Sequence, residues 1–201
     1  MEQGTKEWHD ARLGKVTASR IADVLSFTKK GESVARQRYK QELAKQRITG
    51  EKTEIQTNHH MERGITLEPV ARQRYEVKTN TLVTEVGFYD HPTVPMSGAS
   101  PDGVVGEDGL IEIKCPTDGN HLNTIASGNY PIRYFPQIQW QLACTNRLWC
   151  DFVSFSLDVP EDLQIYVKRI PRDDAFIEQT EKAVIQFLNE VDELVERLRN
   201  E

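Results

Sequence analysis

Residues 96–116 carry the decisive pattern: Met96-Ser97-Gly98-Ala99-Ser100-Pro101-Asp102-Gly103, then five residues, then Gly109-Leu110-Ile111-Glu112-Ile113-Lys114-Cys115-Pro116. In a strand, side chains two apart share a face, so Glu112 and Lys114 project together while Ile111 and Ile113 point the other way, into a core. Ser100-Pro101-Asp102-Gly103 is a turn sequence that enters a strand. The tight Glu107-Asp108-Gly109 connection folds that strand back on Leu110 to Cys115, and the resulting hairpin brings Asp102 near Glu112. Two oxygen-donating acids at one sheet end suit a hard cation such as Mg²⁺, which prefers few carboxylates plus waters and phosphate oxygens. Such an ion polarises a phosphate, generates hydroxide and stabilises a leaving oxygen, and a second ion can share Asp102. Lys114 would orient or help deprotonate the attacking water, or stabilise charge on phosphorus. Taken singly, an Asp-Gly turn is usually only a turn, and an alternating Glu/Lys strand is usually a solvated face with a weak ion pair. The combination at this spacing is far more specific.

Working outward, Trp8 to Leu25 reads as short helices broken near Gly14, with Thr17 or Ser19 as N-cap. Ser33 to Ile48 is helical in pattern but lacks an apolar stripe, which predicts an exposed or partner-facing helix. Asn58 to Lys78 has Met61, Ile65, Leu67, Val70, Ala71 and Tyr75 at helical spacing, with Asn80 as a stop. Thr81 to Tyr89, Met96 to Val105 and Gly109 to Cys115 read as successive antiparallel strands. Pro131 to Asn146 follows as a helix, and Asp151 to Leu157 and Leu163 to Ile170 as strands. The stretch Asp173 to Asn200 puts its apolar residues on one stripe of a long helix. No repeat or linker interrupts the chain, so helices packed on a central mixed sheet, an α/β fold, are expected over residues 1–201 as one domain.

Composition narrows the function. No apolar run approaches the roughly 20 residues of a membrane helix, and Met1-Glu-Gln-Gly-Thr-Lys-Glu does not resemble a signal segment, which predicts neither membrane insertion nor secretion. Cys115, Cys144 and Cys150 are odd in number and lack zinc-site spacing, as expected of free thiols in a reducing compartment. The net charge of −6 is unevenly spread: residues 1–75 hold 15 Lys and Arg against 10 Asp and Glu, whereas 76–201 hold 10 against 21. A phosphate-binding face can therefore coexist with an acidic body, because a duplex feels the local field of the groove it touches. Lys29, Lys30, Arg36, Arg38, Lys40, Lys45 and Arg47 would equally make a solvated helix face. The five histidines show no ligand spacing beyond the His59-His60 pair and are read as surface or packing residues.

The 96–116 pattern resembles the core of the phage lambda exonuclease family, the YqaJ-type viral recombinases of the PD-(D/E)xK, restriction-endonuclease-like group. Trp8-x-x-x-Arg12-x-Gly14-x-Val16-Thr17-Ala18-Ser19 is similar to the family's amino-terminal motif, Gly64-x-x-x-Glu68-x-x-Ala71-Arg72 to its helical acid motif, and Tyr134-x-x-Gln137-x-Gln139 to its glutamine motif. Residues 117–130 share little with the lambda relative. The resemblance implies a restriction-endonuclease-like core with Asp102 and Glu112 as metal ligands, the backbone carbonyl of Ile113 as a third, and Lys114 as the catalytic lysine. It further implies that Glu68 approaches the metals directly or through water, that Gln137 holds the phosphate or water, and that Arg12 and Ser19 bind a 5′ phosphate. Read alone, Glu68 is a surface helix acid, Gln137 a surface amide, Arg12 half of an ion pair and Ser19 a cap. Met61, one turn before Gly64, would be a wedge splitting the terminal base pair, although a core methionine is the plainer reading.

The activity so implied is a Mg²⁺-dependent, two-metal 5′-to-3′ exonuclease on linear duplex DNA, with Mn²⁺ as a substitute ion, releasing mononucleotides and leaving a 3′ single-stranded tail. A ring-shaped homotrimer, with the basic amino-terminal part lining its channel, a single-strand annealing protein as recombination partner, and a phage or prophage enzyme in the bacterial cytoplasm belong to the same implication. The alternatives are a PD-(D/E)xK endonuclease, a Cas4- or RecB-like nuclease, and a DNA-binding module without turnover. Three unclustered cysteines argue against the iron–sulfur type.

Overall fold

The computed structural model describes residues 1–52 and 59–200. Thr5 accepts the Trp8 N–H and opens α1 (Lys6–Arg12), and Gly14, in the left-handed region at φ +68°, turns the chain into β1 (Val16–Thr17). A 3₁₀ turn at Ala18–Arg20 leads to α2 (Ile21–Val24). Neither Thr17 nor Ser19 caps through its side chain, contrary to expectation; Arg20 holds the cap position of α2 and the Ser19 side chain is left exposed. A two-stranded hairpin, β2 (Phe27–Thr28) and β3 (Gly31–Glu32), precedes α3 (Val34–Thr49), which Ser33 caps by accepting the Arg36 N–H at 3.1 Å. The next helix, α4 (His59–Thr79), stops before Asn80 at φ +53°. Its expected start, Asn58, and the side chain of His60 lie outside the described residues.

Short strands follow: β4 (Val83–Thr84), β5 (Tyr89–Asp90), β6 (Ser97–Ala99), β7 (Gly103–Val105) and β8 (Gly109–Lys114). Residues 117–130, where no element was expected, contain α5 (Asp118–Ser127). The 3₁₀ turn Ile132–Tyr134, α6 (Phe135–Thr145), β9 (Trp149–Phe155), β10 (Ile165–Pro171) and α7 (Asp174–Asn200) complete the order. The main sheet runs β10-β9-β8-β7-β4, with β8 and β9 parallel and the other neighbours antiparallel. A smaller sheet, β1-β6-β5, stands apart, so the expected run of successive antiparallel strands is divided between two sheets. Gly98 of β6 is required there, because a Cβ would run into the Phe88 ring and the Tyr89 carbonyl.

Both faces of the main sheet are covered. On one, Ala71 and Tyr75 of α4 pack with Ile111, Ile113, Val153 and Phe155; on the other, Ile138 and Leu142 of α6 pack with Leu110, Cys150, Phe152 and Ile170. A third cluster, with Val24, Tyr39, Leu43, Trp140, Phe187 and Val191, ties α2 and α3 to α6 and α7. The α3 helix is thus packed through one face, with Arg36, Tyr39, Leu43, Ala44 and Gln46 buried, and exposed along the other. Its weak apolar stripe is supplemented by charge: buried Arg36 binds both carboxylate oxygens of Glu190 at 2.7 and 3.0 Å and Glu32 at 2.6 Å, Lys40 reaches Glu190 at 2.9 Å, and Arg47 pairs with Asp192 at 2.5 Å. These three cations of the expected basic face are engaged in ion pairs. The three cysteines are free thiols, and no helix among the described residues is long and apolar enough to cross a membrane.

Candidate active site

The hairpin puts Asp102 and Glu112 side by side. The Gly103–Ile111 pair in the β7–β8 ladder makes Asp102 and Glu112 the next opposed residues, and Asp102 Oδ2 accepts the Ile113 N–H at 2.6 Å. Because the Glu112 face of β8 lies under α6, Glu112 is 1% exposed and is no part of a solvated hairpin. Three donors engage its carboxylate and leave one lone pair, on Oε2. Lys114 Nζ stands 2.5 Å from Oε1, Gln137 Nε2 donates to the same oxygen at 2.5 Å, and Gln141 Nε2 donates to Oε2 at 2.6 Å.

Gln137 and Gln141 are one turn apart on α6, so both amides reach the strand below. Gln141 was not among the expected site residues, although a second Gln four places after Gln137 was the available signal. Gln139 turns away, donating to the Pro171 carbonyl and accepting the Asp173 N–H at the start of α7.

Glu68, on α4, shares a cavity of about 400 Å³ with Asp102, and Arg72 holds it at 2.7 Å while reaching Glu85 at 2.6 Å. Burial, then the charges of Glu112 and Glu68, push the Asp102 carboxyl well above the usual range, against the opposing pull of Lys114 and the Ile113 N–H. Glu68 is raised by burial and by Glu112, with Arg72 opposing. For Lys114, burial favours the neutral amine, but the charges of Glu112 and Asp102 outweigh it and hold the ammonium protonated. Burial, with the Glu68 charge, pushes the Cys115 thiol up to about 12, which removes it as a nucleophile.

Carboxylates that suppress one another's ionisation form a donor set that a divalent cation relieves, and all-oxygen donors match Mg²⁺. Among the described residues no three His, Cys, Asp or Glu side chains form a ready-made cage. Glu112 is turned to Lys114 and Glu68 to Arg72.

Arg12 and Ser19 line a second cavity of about 150 Å³. The Arg12 guanidinium lies 4.1 Å over the Trp8 ring and donates to Ser100 Oγ at 3.1 Å, and no carboxylate among the described residues pairs with it. Arg12 is therefore not the surface ion pair of the plain reading. Met61 is 40% exposed in the first turn of α4, not a core methionine, and Ile65 is exposed one turn further on.

Carboxylates and a lysine delivered by a β-hairpin to the end of a mixed sheet, with helices on both faces, make this chain a nuclease of the restriction-endonuclease-like class. Residues 7–148 match the YqaJ-like viral recombinase domain, and the chain belongs to that family. An alkaline exonuclease from Laribacter hongkongensis is similar throughout: its crystal structure is 50% identical with a TM-score of 0.90, covering 98% of this chain and 97% of that one. Its complex with dAMP is 52% identical with a TM-score of 0.91 over the same shares. A phage-related exonuclease from Haemophilus somnus, at 17% identity, shares the fold, with a TM-score of 0.71 over 92% of this chain and 96% of that one. An uncharacterized protein of Acanthamoeba polyphaga mimivirus is 26% identical over 180 residues, 83% of this chain; the chain spans only 31% of that relative's length.

Proposed function

We propose that the chain is a Mg²⁺-dependent exonuclease that enters linear duplex DNA at a 5′ end, releases mononucleotides and leaves a 3′ single-stranded tail for recombination by strand annealing. It acts as one nuclease domain over residues 1–201. The observation that carries this reading is the tether between the two cavities: Arg12, a cation without a carboxylate partner among the described residues, is held on Ser100, two residues before Asp102. A guanidinium free to fork onto phosphate oxygens thus stands beside the carboxylates, which suits a cut measured from a chain end.

Asp102 and Glu112, with the Ile113 carbonyl and Glu68, would hold Mg²⁺. When bound, the ion neutralises phosphate charge and lowers the pKa of water. Gln137 and Gln141 fix the Glu112 carboxylate from above. Lys114 stands on the same strand face as Glu112, where its ammonium can orient the attacking water or meet charge developing on the phosphate. Arg12 and Ser19 grip the 5′ phosphate, and Met61, whose exposure supports the reading, would serve as an apolar wedge at the terminal base pair. A homotrimeric ring, a single-strand annealing partner and a phage or prophage origin complete the proposal, supported by the family and by the viral relative.

The test is a time course on linear duplex DNA with one 5′ phosphate, each strand end-labelled separately, with Mg²⁺ or EDTA and beside a closed circle. Mg²⁺-dependent loss of the phosphorylated strand alone is expected. Nicking of the circle would replace this reading with an endonuclease, and no cleavage with a binding module.

A further inference from the structure

A cavity of about 410 Å³ opens on the side of Lys114 away from Asp102 and takes no part in the assignments above. Its floor is the catalytic face of the sheet: in the β8–β9 register Phe152 pairs with Glu112 and Ser154 with Lys114, and Phe152, Ser154 and Lys114 all line it. One wall is α5, which turns Asn120, Asn123, Thr124 and Ser127 towards the space at helical spacings of three and four. The opposite wall is the 129–134 segment, with Tyr130 tilted against Phe152 at 6.1 Å between ring centroids.

The chemistry of this lining is specific. The Asn120 and Asn123 side-chain amides make no hydrogen bond among the described residues, so donors and acceptors are available in pairs. Lys114 is paired with Glu112, and the exposed Arg133, which donates to the Tyr134 hydroxyl, keeps its charge at the rim for a flanking phosphate, so amides and aromatic rings are the groups left to meet what enters the cavity itself. Amides and aromatic faces recognise a heterocycle and sugar rather than a phosphate. The volume lies within the roughly 300–1,000 Å³ usual for small-molecule pockets.

Resting on the exonuclease reading, we propose that this cavity receives the nucleoside on the 3′ side of the scissile phosphate, the one that becomes the new 5′ end. A strand with its 5′ phosphate at Arg12 passes Ser100, Asp102 and Glu112 before Lys114, and the cavity begins at Lys114. Tyr130 is the stacking wall, and Asn120 and Asn123 are the polar contacts. Seating this nucleoside sets the scissile phosphate against Lys114.

The test uses the full chain and the double variant N120A/N123A, since alanine preserves a helix. Duplexes with a 5′ phosphate carry at the second nucleotide either dA or an abasic tetrahydrofuran, and release of the first nucleotide is followed in single turnover with Mg²⁺. The wild type should slow about tenfold or more on the abasic duplex through lost stacking and polar contacts. The double variant should slow about tenfold on the intact duplex and discriminate less than about threefold between the two. In parallel, 2-aminopurine at the second nucleotide should change fluorescence on binding the wild type with Ca²⁺ in place of Mg²⁺, and respond less with the variant. Equal wild-type rates on both duplexes, or undiminished discrimination by a natively folded variant, would overturn the proposal. A fluorescence response without nucleotide release would support the cavity while overturning the exonuclease reading.

Discussion

Gln141 Nε2 donates to Glu112 Oε2 at 2.6 Å, with both side chains shut off from solvent between α6 and β8. A buried carboxylate without donors would protonate or turn away, so the helix above the sheet fixes the direction of the strand acid. Gln137 does the same at the other oxygen. Glu112 is thereby presented by two elements that meet only in the folded state.

Replacing Gln141 with Leu should lower kcat about 10- to 100-fold while KM for DNA stays within about twofold, because the amide acts through Glu112 rather than on DNA. Loss of a hydrogen bond to a charged group costs about 1.5–3 kcal/mol. Part of that is offset, since the Gln141 Oε1 has no partner among the described residues and the variant removes this buried acceptor. Steady-state kinetics with urea unfolding would check both halves; wild-type turnover in Gln141→Leu would remove the residue from the site.

Asp102→Asn should separate catalysis from folding. The amide oxygen can still accept the Ile113 N–H, while the repulsion from Glu112 and Glu68 that raises the Asp102 carboxyl disappears. Cleavage should fall by about 10³-fold or more, with Tm no lower than wild type and duplex binding retained. Lys114→Ala should likewise abolish cleavage while leaving DNA binding largely intact. Turnover retained by either purified variant would refute the site.

The hairpin, its Asp102–Glu112 opposition and the two faces of β8 were legible because period-2 alternation and turn chemistry are local signals. So were α4, α6 and α7. What escaped depends on tertiary partners. The α3 helix read as exposed or partner-facing because its inward side carries Arg36 beside Tyr39 and Leu43, and it takes the acids Glu32 and Glu190 with the Val24 carbonyl to make burial of that guanidinium tolerable. The α5 helix escaped because the residues it buries are the polar His121 and Thr124, leaving no apolar period to count. Ser19 read as a cap, yet the chain starts α2 at Arg20 and leaves the Ser19 hydroxyl in the Arg12 cavity. Gln141 escaped because its one signal, the spacing of four from Gln137, gains meaning only once the acid beneath both amides is known.

The cluster that docks α3 on α7 should shape the acid limb of stability. Hydrogen bonds from Arg36, then Lys40, hold the Glu190 carboxyl down at about 2, with burial opposing. A depressed carboxylate contributes stability that is fully present above its unfolded value near 4.3 and is lost as pH falls towards 2. Glu190→Gln should therefore be less stable at pH 7 by about 1 kcal/mol after solvent screening, with the difference shrinking below about pH 4 and vanishing only towards about pH 2. Urea midpoints from pH 2 to 7 would show it; a constant gap across that range would rule out the linkage.

His91 should act in a higher pH window. Its Nδ1 accepts the backbone N–H groups of Thr93 and Val94 at 3.3 and 3.1 Å, so a proton there would face two donors, and its ring stacks on Trp140 at 4.5 Å. Burial, then the Arg172 charge, lowers its pKa to about 4, although Glu181 stands 3.3 Å from Nε2 and would welcome the cation. The desolvation of the ring and the Arg172 charge prevail over that partly exposed acid. The unfolded chain takes up a proton near pH 6.5 and the folded chain only near 4, so stability is full above about 6.5 and declines as pH falls to about 4. The decline attributable to His91 should be on the order of 2–3 kcal/mol. His91→Phe keeps the stack on Trp140 but abandons the two N–H groups, so it should be less stable at pH 7 and show a shallower slope between pH 6.5 and 4. A slope equal to wild type, measured by urea unfolding at half-unit intervals, would show that other groups carry the acid sensitivity.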